Sequence, residues 1–154
     1  MKRKMDLPAP EGIRDKYGMW EVLFLDDDMV RWSMFPAVLR HKGVNLTMVS
    51  EAEEAIEEME KKQFDILFLD HDLGGQVFVD SNKYVTGLKV TQWLEKHPEY
   101  LNKVMRVVVH TMNPDGGNNM MACLGSKGVR LIWNHLLYNG VDIPFKNLPP
   151  QTGE

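Results

Sequence analysis

Cysteine is nearly missing from this chain of 154 residues, in which Cys123 is the only one. A single thiol excludes an internal disulfide and any zinc site built on cysteine pairs. A domain of this length needs neither, because it buries roughly 70% of its extended-chain surface on folding. The neighbours of Cys123 are methionine, alanine and leucine, and this apolar setting predicts a buried core thiol.

Long hydrophobic runs and blocks of positive charge are also missing. No stretch approaches the roughly 20 apolar residues of a membrane helix, and the N-terminus lacks the apolar region of a signal peptide. The net charge of −4 contains no long run of one sign, unlike the basic surface of a nucleic-acid binder. We therefore expect a cytoplasmic protein with neither a membrane nor double-stranded DNA as a partner. The sequence predicts no oligomeric state.

The apolar pattern predicts an N-terminal arm over 1–19, one domain over 20–139 and a C-terminal tail over 140–154. Continuous apolar runs predict five strands, at 22–25, 45–49, 64–69, 104–109 and 129–133. Helical spacing predicts helices near 29–42, 52–59, 86–96 and 118–124. Pro36 either interrupts the first helix or marks where its regular part begins, and a capping box at Ser50 precedes the second.

Strands that alternate with helices imply a parallel sheet covered by helices on both faces. The predicted fold is therefore α/β: a flavodoxin-like three-layer sandwich with a five-stranded parallel sheet in the order 2-1-3-4-5. Ligands bind such sheets outside the carboxyl ends of the strands. Three of the predicted strands end in polar clusters, which this order brings to one edge. The clusters are Asp26, Asp27 and Asp28; Asp70, His71 and Asp72; and His110, Thr111 and Asn113.

The acids of this edge predict a metal site. Packed carboxylates repel each other unless a cation neutralises them, and oxygen ligands favour Mg²⁺ or Mn²⁺. We expect Asp27 and Asp70 to bind the ion, assisted by Asp26 or Asp72. The alternative is that these acids, Asp28 in particular, only cap helices and loops.

His71 and His110 are candidates for proton transfer or metal binding, and the alternative for His110 is a core-packed ring. His41, His97 and His135 are expected to be structural or solvated. The segment 113–119 contains two glycines, Gly116 and Gly117, which let the backbone approach a ligand. Amide groups at the start of the following helix can bind phosphate. An ordinary turn with a helix cap explains this segment equally well.

The acid pair after the first strand and the aspartate after the third resemble response-regulator receiver domains, over about 20–135. The resemblance implies that Asp26 and Asp27 bind metal and that Asp70 is the phosphoacceptor. Receivers also carry Ser or Thr after strand four and Lys after strand five. Here Thr111 supplies the hydroxyl, whereas the predicted fifth strand ends in Trp133-Asn134 without a lysine.

A narrower resemblance rests on two runs. They are Leu-Asp-His-Asp-Leu-Gly at 69–74 and His-Thr-Met-Asn-Pro-Asp-Gly at 110–116, together with Asp26-Asp27, Arg31 and Thr86-Gly87. On a receiver scaffold, this combination is similar to the cyclic-phosphate processing receiver domains. The resemblance implies a site that binds or acts on cyclic phosphates of nucleotides or RNA ends.

Three functions follow as hypotheses. The first is a metal-dependent phosphoesterase that hydrolyses a cyclic nucleotide or a 2′,3′-cyclic phosphate RNA end. Its expected catalytic residues are His71, His110 and Asp72, its substrate-binding residues Arg31, Thr111, Asn113, Gly116 and Gly117, and its metal ligands Asp26, Asp27 and Asp70. The second is a non-catalytic cyclic-nucleotide sensor or sponge. The third is a degenerate receiver that acts through protein contacts.

Overall fold

The computed structural model describes residues 1–8, 19–40, 42–73, 85–138 and 140–145. The strands are β1 (Lys2–Leu7), β2 (Trp20–Leu25), β3 (Val44–Val49), β4 (Ile66–Leu69), β5 (Arg106–Val109) and β6 (Gly128–Arg130). The α-helices are α1 (Met29–Leu39), α2 (Ala52–Lys61), α3 (Leu88–Lys96), α4 (Pro98–Leu101), α5 (Pro114–Ala122) and α6 (Trp133–Leu137). His41, Gly74 and most of the predicted tail lie outside the described residues. None of the described helices is long and apolar enough to cross a membrane.

The strands form one sheet in the order β1-β3-β2-β4-β5-β6. From β3 to β6 all neighbours are parallel, which confirms the predicted α/β fold and its order 2-1-3-4-5 for those five strands. The predicted number of strands is wrong, because β1 pairs antiparallel with β3 at the edge of the sheet. This sixth strand lies within the segment that the sequence predicts as an arm.

Ion pairs hold the polar strand β1 in place. The buried Glu58 of α2 forms ion pairs with the Nζ atoms of Lys2 and Lys4 over 2.7 and 3.0 Å, and with Lys61 over 3.2 Å. Burial raises the pKa of Glu58, but the three lysines outweigh it and lower the pKa to about 2. The strand is therefore stabilised by charge, which a search for apolar runs does not detect.

The two faces of the sheet pack against different helices, because successive side chains of a strand point to opposite faces. Leu23 and Leu25 of β2 join a core cluster with α2, α3 and α5. Val22 and Phe24 join a second cluster with α1 and α6. The result is the predicted three-layer sandwich.

Several predicted boundaries differ from the structure. Helix α5 begins at Pro114 because the Asn113 side chain accepts from the Gly116 amide, and proline is favoured at a first helical position. Helix α1 continues through Pro36. The capping box of α2 is formed by Glu51 and Glu54 rather than beginning at Ser50. Two further corrections affect the C-terminal half: β6 ends at Arg130, and Cys123 is half-buried instead of in the core.

Candidate functional site

Strand register brings three polar residues together at the carboxyl edge of the sheet. Leu25 pairs with Leu69, and Leu69 pairs with Val109. The residues that follow these three are Asp26, Asp70 and His110. Neighbouring positions of a parallel sheet point to the same face, so their side chains gather on the α1 side. One ligand atom from each lies within 4.8 Å of the others, and all three residues are buried.

The carboxylate of Asp26 accepts four hydrogen bonds. Oδ1 accepts from the Asp28 amide at 2.9 Å and from Arg31 Nη2 at 3.0 Å. Oδ2 accepts from Arg31 Nε at 2.7 Å and from His110 Nε2 at 3.0 Å. Burial raises the pKa of Asp26, but His110 and Arg31 outweigh it and lower the pKa to about 2. Asp26 is therefore ionised at neutral pH.

The second carboxyl group, Asp70, has a different electrostatic environment. Its Oδ1 accepts from the His71 amide at 2.9 Å, and its Oδ2 lies 3.3 Å from Arg31 Nη2. Burial dominates and raises the pKa of Asp70 to about 7, although His110 and Arg31 oppose the shift. Asp70 is consequently poised between its protonated and ionised forms at neutral pH.

Arg31 reaches these acids because Asp28 starts helix α1. The Asp28 side chain accepts from the Val30 and Arg31 amides at 2.9 and 3.0 Å, which confirms the capping alternative for Asp28. This cap places Arg31 in the first turn, where its guanidinium reaches both Asp26 and Asp70. The Arg31 side chain is 29% exposed, whereas those of Asp26 and Asp70 are 0% and 4% exposed. Arg31 thus contacts both buried carboxylates while part of its own side chain is exposed to solvent.

The sequence allowed two interpretations of His110, a core-packed ring or a polar residue of the site. The ring has features of both, because it packs on aromatic side chains and also contacts a carboxylate. Its ring stacks on Phe24 with 5.3 Å between centroids and lies 6.5 Å from the Trp133 ring. An ionised carboxylate only accepts, so Nε2 carries the proton in the bond to Asp26. Among the described residues, Nδ1 of His110 has no hydrogen-bond partner.

The donor set of Asp26, Asp70 and His110 fits a divalent ion. Two carboxylates suit Mg²⁺ and Mn²⁺, and an imidazole nitrogen extends the set toward transition metals. Asp27, which the sequence placed among the ligands, is not in this group. Chain alternation directs it toward the α2 face, where it lines a cavity of about 430 Å³ together with Ser50, Glu51 and Leu73.

His71, Asp72 and Asn113 form a separate cluster. His71 Nδ1 lies 2.8 Å from Asp72 Oδ1, and Asn113 Nδ2 donates to the same oxygen over 3.1 Å. His71 and Asn113 are buried. Thr111 Oγ1 accepts from the Asn113 amide at 3.2 Å, so the hydroxyl expected to act in the site also supports this loop.

Gly116 and Gly117 have packing roles within α5. A Cβ at Gly116 would stand 2.5 Å from the His71 ring, and one at Gly117 would stand 2.8 Å from Arg130 Cζ. The Gly116 and Gly117 amides already donate to Asn113 at 2.9 and 2.8 Å. These two amides are therefore already used within the helix start, which leaves fewer amides to bind an anion. Phosphate binding by the two glycines stays a prediction.

Arg130 is a cation at the end of β6 that the sequence analysis missed, because the strand was predicted to end at 133. Its Nη1 donates to the Val109 and Thr111 carbonyls at 3.0 and 2.6 Å. These contacts direct the guanidinium to the backbone. The alternation of side chains along β6 could have indicated that Arg130 lies near the strand end, but it could not have indicated which carbonyl groups Arg130 contacts.

The chain is similar to one known family and to several solved structures. The sequence pattern of the cyclic-phosphate processing receiver domain matches residues 21–126. A receiver domain of a sensor histidine kinase from Pseudomonas aeruginosa, described with a magnesium ion in its active-site cleft, is 20% identical. The match covers 82% of this chain and 95% of that one, with a TM-score of 0.62.

Other solved structures show the same fold. A chemotaxis response regulator from Vibrio cholerae is 20% identical over 81% of this chain and 98% of that one, with a TM-score of 0.60. The signal receiver domain of a LuxO-type repressor from Vibrio parahaemolyticus is 16% identical, with coverages of 83% and 91% and a TM-score of 0.60. No curated protein matches the chain.

Proposed function

Since the chain belongs to the cyclic-phosphate processing receiver domain family, we propose that it binds a cyclic phosphate at the carboxyl edge of its sheet and hydrolyses it with a divalent metal ion. The substrate class is a cyclic nucleotide or a 2′,3′-cyclic phosphate RNA end. The observation that carries the proposal is the buried group of Asp26, Asp70 and His110, with Arg31 at its solvent side.

Asp26, Asp70 and His110 would hold Mg²⁺ or Mn²⁺. Such an ion polarises a phosphoryl oxygen and makes bound water easier to deprotonate. Arg31 is the phosphate-binding residue, because its partly exposed guanidinium is planar and offers several donors to an anion. Binding by Arg31 neutralises charge that would otherwise oppose the entry of a phosphate into an acidic edge.

His71 and Asp72 are the proposed pair for proton transfer. With Asp72 Oδ1 as the acceptor at 2.8 Å, His71 Nδ1 carries a proton, and Nε2 is the ring nitrogen that can take one up. Asn113 donates to Asp72 and fixes its orientation. A base that is oriented by a carboxylate, itself held by a third group, is the arrangement that activates water or a hydroxyl in many hydrolases.

The experiment is incubation with cyclic mononucleotides, cyclic dinucleotides and RNA ending in 2′,3′-cyclic phosphate, each with Mg²⁺, Mn²⁺ or EDTA. We expect ring opening of one class that requires metal and is lost in Asp26→Asn. Asp6→Asn, which changes an exposed aspartate of β1, is the matched control and should keep full activity. Ligand-dependent melting without product would favour the sensor or sponge instead. No turnover and no binding would refute the proposal.

A further inference from the structure

Arg31 occupies the coordination positions that a metal ion on Asp26 would need. A carboxylate has about four lone-pair positions, and Asp26 uses them all on Asp28, Arg31 and His110. An ion can bind Asp26 only if one of these donors leaves. The question is which of the three is able to do so.

Asp28 and His110 are able to remain. The Asp28 donor is a backbone amide, fixed by the start of helix α1. His110 is buried and stacked on Phe24, and imidazole is itself a common metal ligand. It can therefore contact an ion without moving away.

Arg31 cannot share the site with an ion. A guanidinium has five N–H donors and no acceptor, so it is unable to become a ligand. Its positive charge would also repel a divalent ion a few ångströms away. The side chain is long and 29% exposed, so it has a route into solvent. The same Nη2 atom bridges Asp26 and Asp70, and its departure would release acceptor positions on both carboxylates.

We propose, resting on the phosphate site argued above, that Arg31 and a divalent cation are alternative partners of Asp26 and Asp70, and that metal binding releases Arg31 to bind the phosphate. Arg31 is the internal counter-ion of the metal-free carboxylates. Once displaced it remains tethered at the start of α1, beside the ion and any phosphate on it. Metal and phosphate therefore bind with positive cooperativity, and Arg31 carries the coupling.

The test measures Mg²⁺ affinity by calorimetry at pH 8 for the full chain, Arg31→Gln, Arg31→Lys and Arg40→Gln. Arg40 follows the same helix at its other end and is exposed, so it controls for the change in net charge. Loss of the competing cation should make Mg²⁺ bind at least about fivefold more tightly to Arg31→Gln than to Arg40→Gln. Arg31→Lys keeps a cation in the site and should show a smaller gain. It also provides a result if Arg31→Gln does not fold.

The second measurement is the affinity for inorganic phosphate without Mg²⁺ and at saturating Mg²⁺. Mg²⁺ should strengthen phosphate binding about fivefold or more in the unmodified chain, and this gain should be clearly smaller in Arg31→Gln, where only the direct attraction of the ion for phosphate remains. Equal Mg²⁺ affinities in all the variants would overturn the exchange of Arg31 for metal while leaving the metal site intact. If none of the variants binds Mg²⁺, the exchange and the proposed metal-dependent function both fail.

Discussion

The Nε2 atom of His110 lies 3.0 Å from Oδ2 of Asp26, although 84 positions separate the two residues in the chain. The bond fixes the carboxylate from the β5 side, while Arg31 holds it from α1. His110 is therefore placed to orient the carboxylate that we propose as a metal ligand, and to contact the proposed ion itself.

Replacing His110 should weaken metal binding. We expect His110→Gln to lower Mg²⁺ affinity about 10–100-fold, because residues that orient metal ligands are typically worth that much. His135→Gln changes an exposed histidine of α6 and should leave the affinity unchanged. Calorimetry on both variants checks this. An unchanged affinity in His110→Gln would remove His110 from the metal site.

Metal binding should depend strongly on pH because of Asp70. Its pKa is raised to about 7 by burial, and a protonated carboxyl must lose its proton before it ligates. Mg²⁺ affinity should therefore rise about tenfold per pH unit up to about pH 7 and level off above it. A series of titrations from pH 5.5 to 8.5 measures the profile, and a flat profile would contradict this role for Asp70.

Removing the Asp70 charge should stabilise the metal-free protein. A raised carboxyl pKa means that the folded state binds the proton more tightly than the unfolded chain, so this group's contribution declines as pH rises from about 4 to about 7. At pH 8, Asp70→Asn should gain roughly 2–4 kcal/mol in free energy of unfolding. Urea unfolding at pH 8 compares it with Asp115→Asn, which should change by less than about 0.5 kcal/mol. A loss of stability in Asp70→Asn would show that the ionised carboxyl is well compensated.

Glu58 should control the attachment of β1. Glu58→Gln leaves Lys2 and Lys4 without their buried partner and should cost about 1–3 kcal/mol in free energy of unfolding. The adjacent exposed Glu57→Gln is the control and should cost less than about 0.5 kcal/mol. The pKa of Glu58 is lowered to about 2, so its stabilisation is present above pH 4.5 and is lost as pH falls toward 2. Equal unfolding curves for the two variants would argue against the ion-pair cluster.

Gly116 should tolerate no side chain. A Cβ there would stand 2.5 Å from the His71 ring, so Gly116→Ala must shift either α5 or His71 and should cost about 1–3 kcal/mol. Asn118→Ala, at an exposed position of the same helix, should be neutral or stabilising because alanine favours helices. Thermal unfolding compares the two variants. A neutral Gly116→Ala would mean that the close packing of α5 on His71 is dispensable.

Local patterns in the sequence were enough to predict most of the fold. The buried runs that precede Asp26, Asp70 and His110 predicted the parallel strands and the edge that they share. The sequence paired Asp27 with Asp70 and did not single out the group of Asp26, Asp70 and His110, and a metal role for Asp27 stays a prediction. Consistent use of alternation would have joined Asp26, Asp70 and His110 from sequence alone.

Two features lay beyond such patterns. Strand β1 depends on ion pairs to Glu58, more than 50 positions away in the chain, and its own residues are too polar to predict a strand. The contact of Arg31 with both carboxylates depends on the helix start at Asp28 and on side-chain packing across the sheet. Sequence reasoning identified Arg31 only as a phosphate ligand and not as a counter-ion.

The antiparallel strand β1 also affects how the chain is handled. Trimming residues 1–8 as though they were a dispensable arm would leave β3 (Val44–Val49) as an open edge, with unpaired amides and carbonyls beside the largely buried residues Leu46 and Met48. Such an edge is a template for pairing with a second chain. In the full chain β1 pairs with this edge of β3, and the lysines and the arginine of β1 place charged side chains along the outer edge of the sheet. We therefore expect removal of β1 to lower the solubility of the chain, although β1 contributes no residue to the group of Asp26, Asp70 and His110.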